Sequence, residues 1–325
     1  MIGRNIVVIG ASAGGIEALT TIVEALPAEL NGSVFIVLHI GAALSRLPEI
    51  LGRNSRLPIA NAIDGEAIRV GRVYVAPPDL HMILESGRIR LVRGPKENFT
   101  RPAIDPLFHS AAIEFGARVV GIVLTGYQDD GSAGLIAIKN RGGITIVQDP
   151  QEAFAPSMPQ SALACVQADH CCSVADMPRL IESYDPPNMV LPPVPIQLEV
   201  EHRLTAMQAF LAEEEELERL GSPSSLTCPE CKGVLYELHD DRLLRFRCRT
   251  GHAMSAQALL PHLSSSRESA IWSAIRTLDE EAMLIRQLSA RKSATSGGVE
   301  HPNGDGANAL VQLAEQLRTT MRDPN

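Results

Sequence analysis

The stretch Asn5 to Gly15, NIVVIGASAGG, constrains this chain more than any other. Ile6 to Ile9 is a run of β-branched apolar residues ended by glycine. Such a run reads as a strand buried on both faces, as in parallel sheets. Gly10, Ser12, Gly14 and Gly15 follow, and Ile16-Glu17-Ala18-Leu19 opens a helical pattern. Strand, glycine-rich turn and helix set Ser12 on a tight corner, beside the positive end of the helix dipole. Two chemistries use such a corner. A dinucleotide site wants G-x-G-x-x-G and an acidic residue about 20 positions on, at the end of the second strand. Here Ser12 stands at the middle glycine position, and the second apolar run, Val34 to Leu38, ends in His39. The alternative is a G-x-S-x-G nucleophile elbow on Gly10, Ser12 and Gly14, with His39 as base. His39 favours the serine.

From Asn5 to about Ala175, apolar strands alternate with helical segments. The strands are Ile6–Ile9, Val34–Leu38, Val73–Ala76, Val119–Leu124, Ile144–Val147 and a weaker one near Cys171–Val174. Helical patterns lie at Ile16–Leu26, Leu44–Leu51, Ile104–Phe115 and Gly131–Asn140. The alternation predicts an α/β fold, a doubly wound and mostly parallel sheet covered on both faces. Met82–Glu85 and Arg88–Val92, split by Ser86-Gly87, read as a small hairpin insertion. In open sheets of this class, chemistry gathers outside the carboxyl ends of the strands. Ser12, His39 and the loop bearing Asp129 and Asp130 therefore converge on one edge. A serine hydroxyl needs a base, and the base needs a carboxylate to fix its tautomer. Singly, each residue has a plainer role: Ser12 and Asp130 as helix N-caps, His39 as a satisfied strand-end histidine. Together they favour catalysis.

At this point the chain resembles the catalytic domain of the chemotaxis protein-glutamate methylesterases. The matching stretches are Ile9 to Gly15, Leu38-His39, Val75 to His81 (VAPPDLH), Arg101 to Phe108 (RPAIDPLF), Leu124-Thr125-Gly126 through Gly131, Gln148-Asp149 and Met158-Pro159. They run in the family's order from about Arg4 to Tyr184. The resemblance implies a Rossmann-like serine hydrolase with Ser12 as nucleophile, His39 as base and Asp130 as carboxylate. It removes methyl groups from glutamate γ-methyl esters on methyl-accepting receptors, and by implication deamidates glutamines. Asp129 falls outside the catalytic position and reads as a solvated neighbour. The resemblance puts the backbone amides of Ala13 and Tyr127 at the oxyanion, and gives His81 and Arg101 structural or substrate-facing roles. The family usually has threonine and methionine where this chain has Ala13 and Tyr127. Members in chemotaxis arrays usually carry a receiver domain ahead of the esterase, whereas here the esterase's first strand opens the sequence. The esterase chemistry itself needs no cofactor.

Beyond Tyr184 the composition changes. Pro186 to Pro195 is a proline-dense hinge. Glu199 to Leu220 reads as one helix with an acidic run at Glu213–Glu216, and Gly221 to Ser225 as a linker. Cys228-Pro-Glu-Cys231 and Cys248-Arg-Thr-Gly-His252 then give C-x2-C, sixteen residues and C-x3-H. That spacing predicts a zinc-ribbon-like module, with Val234–His239 and Leu243–Arg247 as a hairpin around Asp240-Asp241. Zn2+ is favoured over iron, and a structural role over a catalytic one, since four ligands leave no open position. His239 and His262 are alternative fourth ligands. Cys165, Cys171 and Cys172 lack such a pattern and read as buried thiols. A long amphipathic helix runs from Arg267 to Arg291 with the stripe Ile271, Ile275, Leu278, Ala282 and Ile285, able to pack on the esterase or on another helix. A Gly/Ser/Asn-rich stretch from Lys292 to Asn308 precedes a short helix at Ala309–Arg322.

The expected organisation is therefore a catalytic domain at 1–185, hinge and helix at 186–225, ribbon at 226–263, long helix at 264–292 and a tail at 293–325. A net charge of −9, spread over both halves, argues against a nucleic-acid partner. No apolar run approaches the ~20 residues of a membrane span, and the start is no export signal. Together with reduced cysteines these features suggest a cytoplasmic address. The expected partners are methyl-accepting receptors, and a protein docked through the C-terminal helix. The competing reading is a catalytically decayed esterase fold that serves signalling or assembly through its ribbon.

Overall fold

The computed structural model describes residues 5–40, 45–187, 190–207, 214–240, 242–295 and 304–322. In chain order the first unit runs β1 (Asn5–Ala11), α1 (Gly15–Ala25), β2 (Gly32–Leu38), α2 (Leu47–Leu51), β3 (Ile59–Asn61), β4 (Arg72–Val75) and the hairpin β5 (His81–Glu85) and β6 (Arg88–Val92). It continues through α3 (Ile104–Phe115), β7 (Val119–Val123), α4 (Ser132–Asn140), β8 (Ile144–Gln148), α5 (Ser157–Cys165), β9 (His170–Cys172) and α6 (Met177–Ser183). Among the described residues seven strands form one sheet in the order β3-β4-β2-β1-β7-β8-β9, every pair parallel. β1 is buried throughout, which explains its unbroken apolar run. Ile6 and Val8 pack into one core with Ile104, Leu107 and Phe108 of α3; Val7 and Ile9 pack into the other with Leu19, Ile22 and Val23 of α1. The chain leaves β1 toward β2 and later returns to its other side at β7. The carboxyl ends of β1 and β7 thus form the switch point where such sheets hold their sites.

The remainder departs from the sequence reading in several places. The single helix expected over Glu199–Leu220 is two: α7 (Ile196–Thr205) and α8 (Glu214–Leu220), α7 ending before Met207, which has φ 54°. Its middle, including Glu213, lies outside the described residues, as do Leu44, Asp241 and part of the proline hinge. The expected linker is a strand, β10 (Gly221–Thr227), at the edge of an antiparallel sheet with β11 (Val234–Leu238), β12 (Arg245–Cys248) and β13 (Ala253–Ser255). Val200 and Leu204 of α7, Leu217 and Leu220 of α8 and Leu238 of β11 share one small core. The long helix is α9 (Ala256–Thr295), longer than expected at its start. The last helix is α10 (Gly304–Arg322), so 292–295 and 304–308 are helical and the rest of the expected linker is undescribed.

Two compact units divide the chain between Leu259 and Leu260. In the second, Arg318 pairs with Asp279 and Arg286 donates to Asn308 at 3.1 Å, so α9 and α10 run side by side. Ile275 and Ala282 of the stripe are buried, as are Ala307 and Ala314, seven residues apart on α10. Among the described residues no helix is long and apolar enough to cross a membrane.

Candidate active site

Ser12 follows β1 directly. Its backbone N–H donates to Thr125 O at 2.9 Å, which ties the turn to the end of β7. The N-cap of α1 is Gly14, in the left-handed region at φ 77°, so Ser12 is not consumed as a cap. The loop after β7 comes very close: a Cβ on Gly126 would lie 2.7 Å from Ser12 Cβ and 2.1 Å from Met158 Sδ. Only glycine fits there. Thr125 Oγ1 donates to Ala13 O at 2.9 Å and accepts from Ala155 N at 2.8 Å, while Gln148 Oε1 accepts from Thr125 N at 2.8 Å.

β1 and β2 pair so that Ala11 faces Leu38, and His39 N donates to Ala11 O at 3.1 Å. The next residues on the two strands, Ser12 and His39, are thereby neighbours at adjacent strand ends. His39 Nε2 lies 2.8 Å from Asp130 Oδ2. With its proton on Nε2 toward the carboxylate, Nδ1 carries the lone pair. Among the described residues Ser12 Oγ makes no hydrogen bond within the chain, to His39 or otherwise.

Asp130 is 2% exposed and collects donors from four residues besides His39. Ile104 N reaches Oδ2 at 2.7 Å; Asp105 N at 3.3 Å, Asn98 Nδ2 at 3.1 Å and its own neighbour Gly131 N at 3.1 Å reach Oδ1. The first two belong to the amino end of α3, whose dipole favours an anion. Burial opposes ionisation, but the bonds and charge of His39, with Ile104 and Asn98, outweigh it and hold this carboxyl below its ordinary range. Asp105 answers in kind: its Oδ1 accepts from Gly131 N at 3.1 Å and Gly134 N at 2.7 Å, at the start of α4. Burial first, and then the Asp130 charge, drive the Asp105 carboxyl well above the ordinary range. One carboxyl is kept charged and its neighbour is pushed toward neutrality.

The other sequence-predicted residues separate. Tyr127 is exposed, and among the described residues neither its N–H nor that of Ala13 donates within the chain. His81 is fully buried, so it cannot face substrate. Its Nε2 donates to Pro95 O at 2.9 Å and its Nδ1 accepts from Ala103 N at 3.2 Å, and burial lowers its pKa. Arg101 clamps Asp79 Oδ1 through Nε and Nη2 at 2.9 and 2.7 Å, and lines a cavity of about 220 Å³ beside His39, Lys96 and Phe99. Asp129, expected in solvent, is 2% exposed. Its Oδ1 accepts from Ser255 Oγ at 2.6 Å, and burial pushes its pKa up to about 6. A larger cavity of about 300 Å³, lined by His109, Arg141, Glu201 and Arg245, holds none of Ser12, His39 or Asp130. Sequence reading gave no role to Asn98, since no local pattern marks it.

In the ribbon, ligand atoms of Cys228, Cys231, Cys248 and His252 all lie within 4.8 Å of one another. A tetrahedral zinc with arms of about 2.3 Å needs donor separations of about 3.8 Å. Cys231 Sγ and Cys248 Sγ are 3.6 Å apart, and Cys248 Sγ is 3.5 Å from His252 Nδ1. The donor set fits the metal. His239 does not belong to the cluster and faces Ser222 Oγ at 3.4 Å.

Comparison with known proteins bears on the same segment. The CheB methylesterase family profile matches residues 7–181. A relative from Leptospira interrogans is 38% identical over 185 residues, covering 56% of this chain and 96% of its own length. The protein-glutamate methylesterase/protein-glutamine glutaminase 2 of Anaeromyxobacter dehalogenans is 37% identical over 178 residues, 54% of this chain. The match spans 52% of that relative's length. The crystal structure of the Thermotoga maritima CheB methylesterase catalytic domain superposes with a TM-score of 0.53 at 30% identity, covering 55% of this chain and 98% of that one.

Proposed function

Because the chain belongs to the CheB methylesterase family, we propose that it hydrolyses glutamate γ-methyl esters on receptor-type helices, with Ser12 as nucleophile, His39 as base and Asp130 behind it. One observation carries this reading. His39 is bonded to a buried, multiply hydrogen-bonded carboxylate at the strand end adjoining Ser12. In the first step Ser12 Oγ bonds to the ester carbonyl carbon as His39 Nδ1 takes its proton. The carbonyl oxygen becomes the oxyanion, met by the N–H groups of Ala13 and Tyr127; one such donor is worth about 2.7–4 kcal/mol. Asp130 stays ionised and stabilises the imidazolium. His39 returns the proton to the departing methoxide, and methanol leaves. Water then attacks the glutamyl ester with His39 again as base, releasing glutamate and restoring Ser12. A glutamine side chain offers the same carbonyl with ammonia as leaving group.

The ribbon cluster is read as a structural zinc site, since four protein ligands leave no open position for chemistry. The test is methanol release from methylated receptor membranes. Wild type is expected to release methanol and Ser12→Ala none above background. Equal release by both, or none by wild type, rejects the esterase reading.

A further inference from the structure

Among the described residues Asn98 is the one that bonds both the ribbon's last strand and the carboxylate of Asp130. Asn98 is buried, with φ 47°. On one side it is bonded twice to β13: Asn98 N donates to Ala253 O at 2.8 Å, and Asn98 Oδ1 accepts from Ser255 N at 3.0 Å. On the other side its Nδ2 donates to Asp130 Oδ1 at 3.1 Å and to Asp105 Oδ2 at 3.3 Å. Its neighbours are held by the same module. Arg247 of β12 reaches Glu97 at 3.1 Å, and Lys96, on the rim of the cavity beside His39, meets Glu230 at 3.5 Å. Glu230 lies between Cys228 and Cys231. Arg247 precedes Cys248, and β13 begins one residue after His252. Every one of these contacts is therefore made within two residues of a cluster ligand, or on the short strand that follows one.

We propose that the ribbon sets the esterase's competence through Asn98, a positioning residue that orients Asp130 while β13 is held in place by a metal at the cysteine–histidine cluster. Metal binding fixes β12 and β13. β13 fixes the Asn98 side chain, and Asn98 supplies one of the donors that aim Asp130 at His39. Losing either the metal or the amide leaves Asp130 with one donor fewer and a looser bearing on His39. The inference rests on the esterase reading above.

The experiment measures how fast a fluorophosphonate labels Ser12 in the full chain, forming a P–O bond as fluoride leaves, from pH 5 to 9. Wild type is compared with Asn98→Gly, which keeps the backbone conformation at positive φ, and Asn98→Asp, which keeps the acceptor for Ser255. Zinc content of each variant is measured alongside, and one zinc per chain shows the ribbon intact. Both variants are expected to label about tenfold more slowly or worse, the scale of one hydrogen bond to a charged group. The midpoint of the Asn98→Gly labelling profile should move to higher pH. In Asn98→Gly the carboxylate keeps its charge with one donor fewer, so it attracts the imidazolium more strongly even as its aim loosens. The other groups facing the pair (Asp105, Asp129 and His81, and Asp79, Lys96 and Arg101 across the cavity beside His39) are unchanged, whereas Asn98→Asp adds a carboxyl there and is read by its rate alone. Removing zinc with a chelator should slow wild type, with recovery on adding zinc, and should slow Asn98→Gly no further, because the link is already cut. If both zinc-loaded variants label at the wild-type rate and Asn98→Gly keeps the wild-type midpoint, or if chelation slows Asn98→Gly as much as wild type, the proposal is overturned and the esterase reading stands. If wild type is unlabelled at every pH, the esterase reading falls first.

Discussion

Asp129 and Asp130 are adjacent in sequence and opposite in behaviour. Asp130 is served by five donor groups, whereas Asp129 has Ser255 Oγ on one oxygen and its other oxygen is unpartnered among the described residues. Burial accordingly pushes Asp129 up from 3.8 to about 6. A raised carboxyl stabilises the fold while it keeps its proton. That contribution is complete below pH 3.8, falls as pH rises between 3.8 and 6, and is lost above. The ionised form then costs about 3 kcal/mol. Asp129→Asn should therefore stabilise the protein by up to about 3 kcal/mol in urea at pH 7.5 and by much less at pH 4.5. Equal effects at both would show that Asp129 is not protonated on folding. The sequence placed this residue in solvent because its cover, Ser255, lies far away in the chain. The positions of Ser12, His39 and Asp130 were legible because the first two directly follow strands and the third stands just ahead of a helix, places that local pattern already marks.

At the scale of elements, the parallel strands announced themselves by apolar runs, and α3 begins and ends where its periodicity predicted. β10 did not, because GSPSSLT is a polar edge strand held by pairing with β11. The split of α7 from α8 was hidden for a related reason, since both are pinned by tertiary contacts. Glu201 of α7 takes Arg245 through both oxygens at 2.8 and 2.9 Å, and Arg247, fully buried, bridges Glu97 and Glu201. Removing one partner from such a buried network leaves uncompensated charge, at a cost of about 3–5 kcal/mol. Arg247→Met should lower the unfolding free energy of the first unit by that amount in urea. A loss below about 1 kcal/mol would show the network to be dispensable.

For the whole molecule, the hinge expected at Pro186 to Pro195 does not separate the ribbon from the esterase. Residues up to Leu259 form one compact unit. What the sequence did supply there was the ligand spacing, which is local and chemically strict. Metal analysis of the purified chain should give about one zinc, and chelation should open 228–252 to proteolysis while amide exchange in β1 and β7 stays slow. Absence of zinc would remove the metal from the account. The reciprocal arrangement of Asp105 and Asp130 reaches further. Each carboxylate receives the first turn of the helix that the other precedes or occupies, so α3 and α4 are cross-stitched at their amino ends. A half-assembled chain cannot aim the Asp130 carboxylate at His39, so any chemistry that depends on this pair waits for the finished core, a guard against acting before the chain has folded.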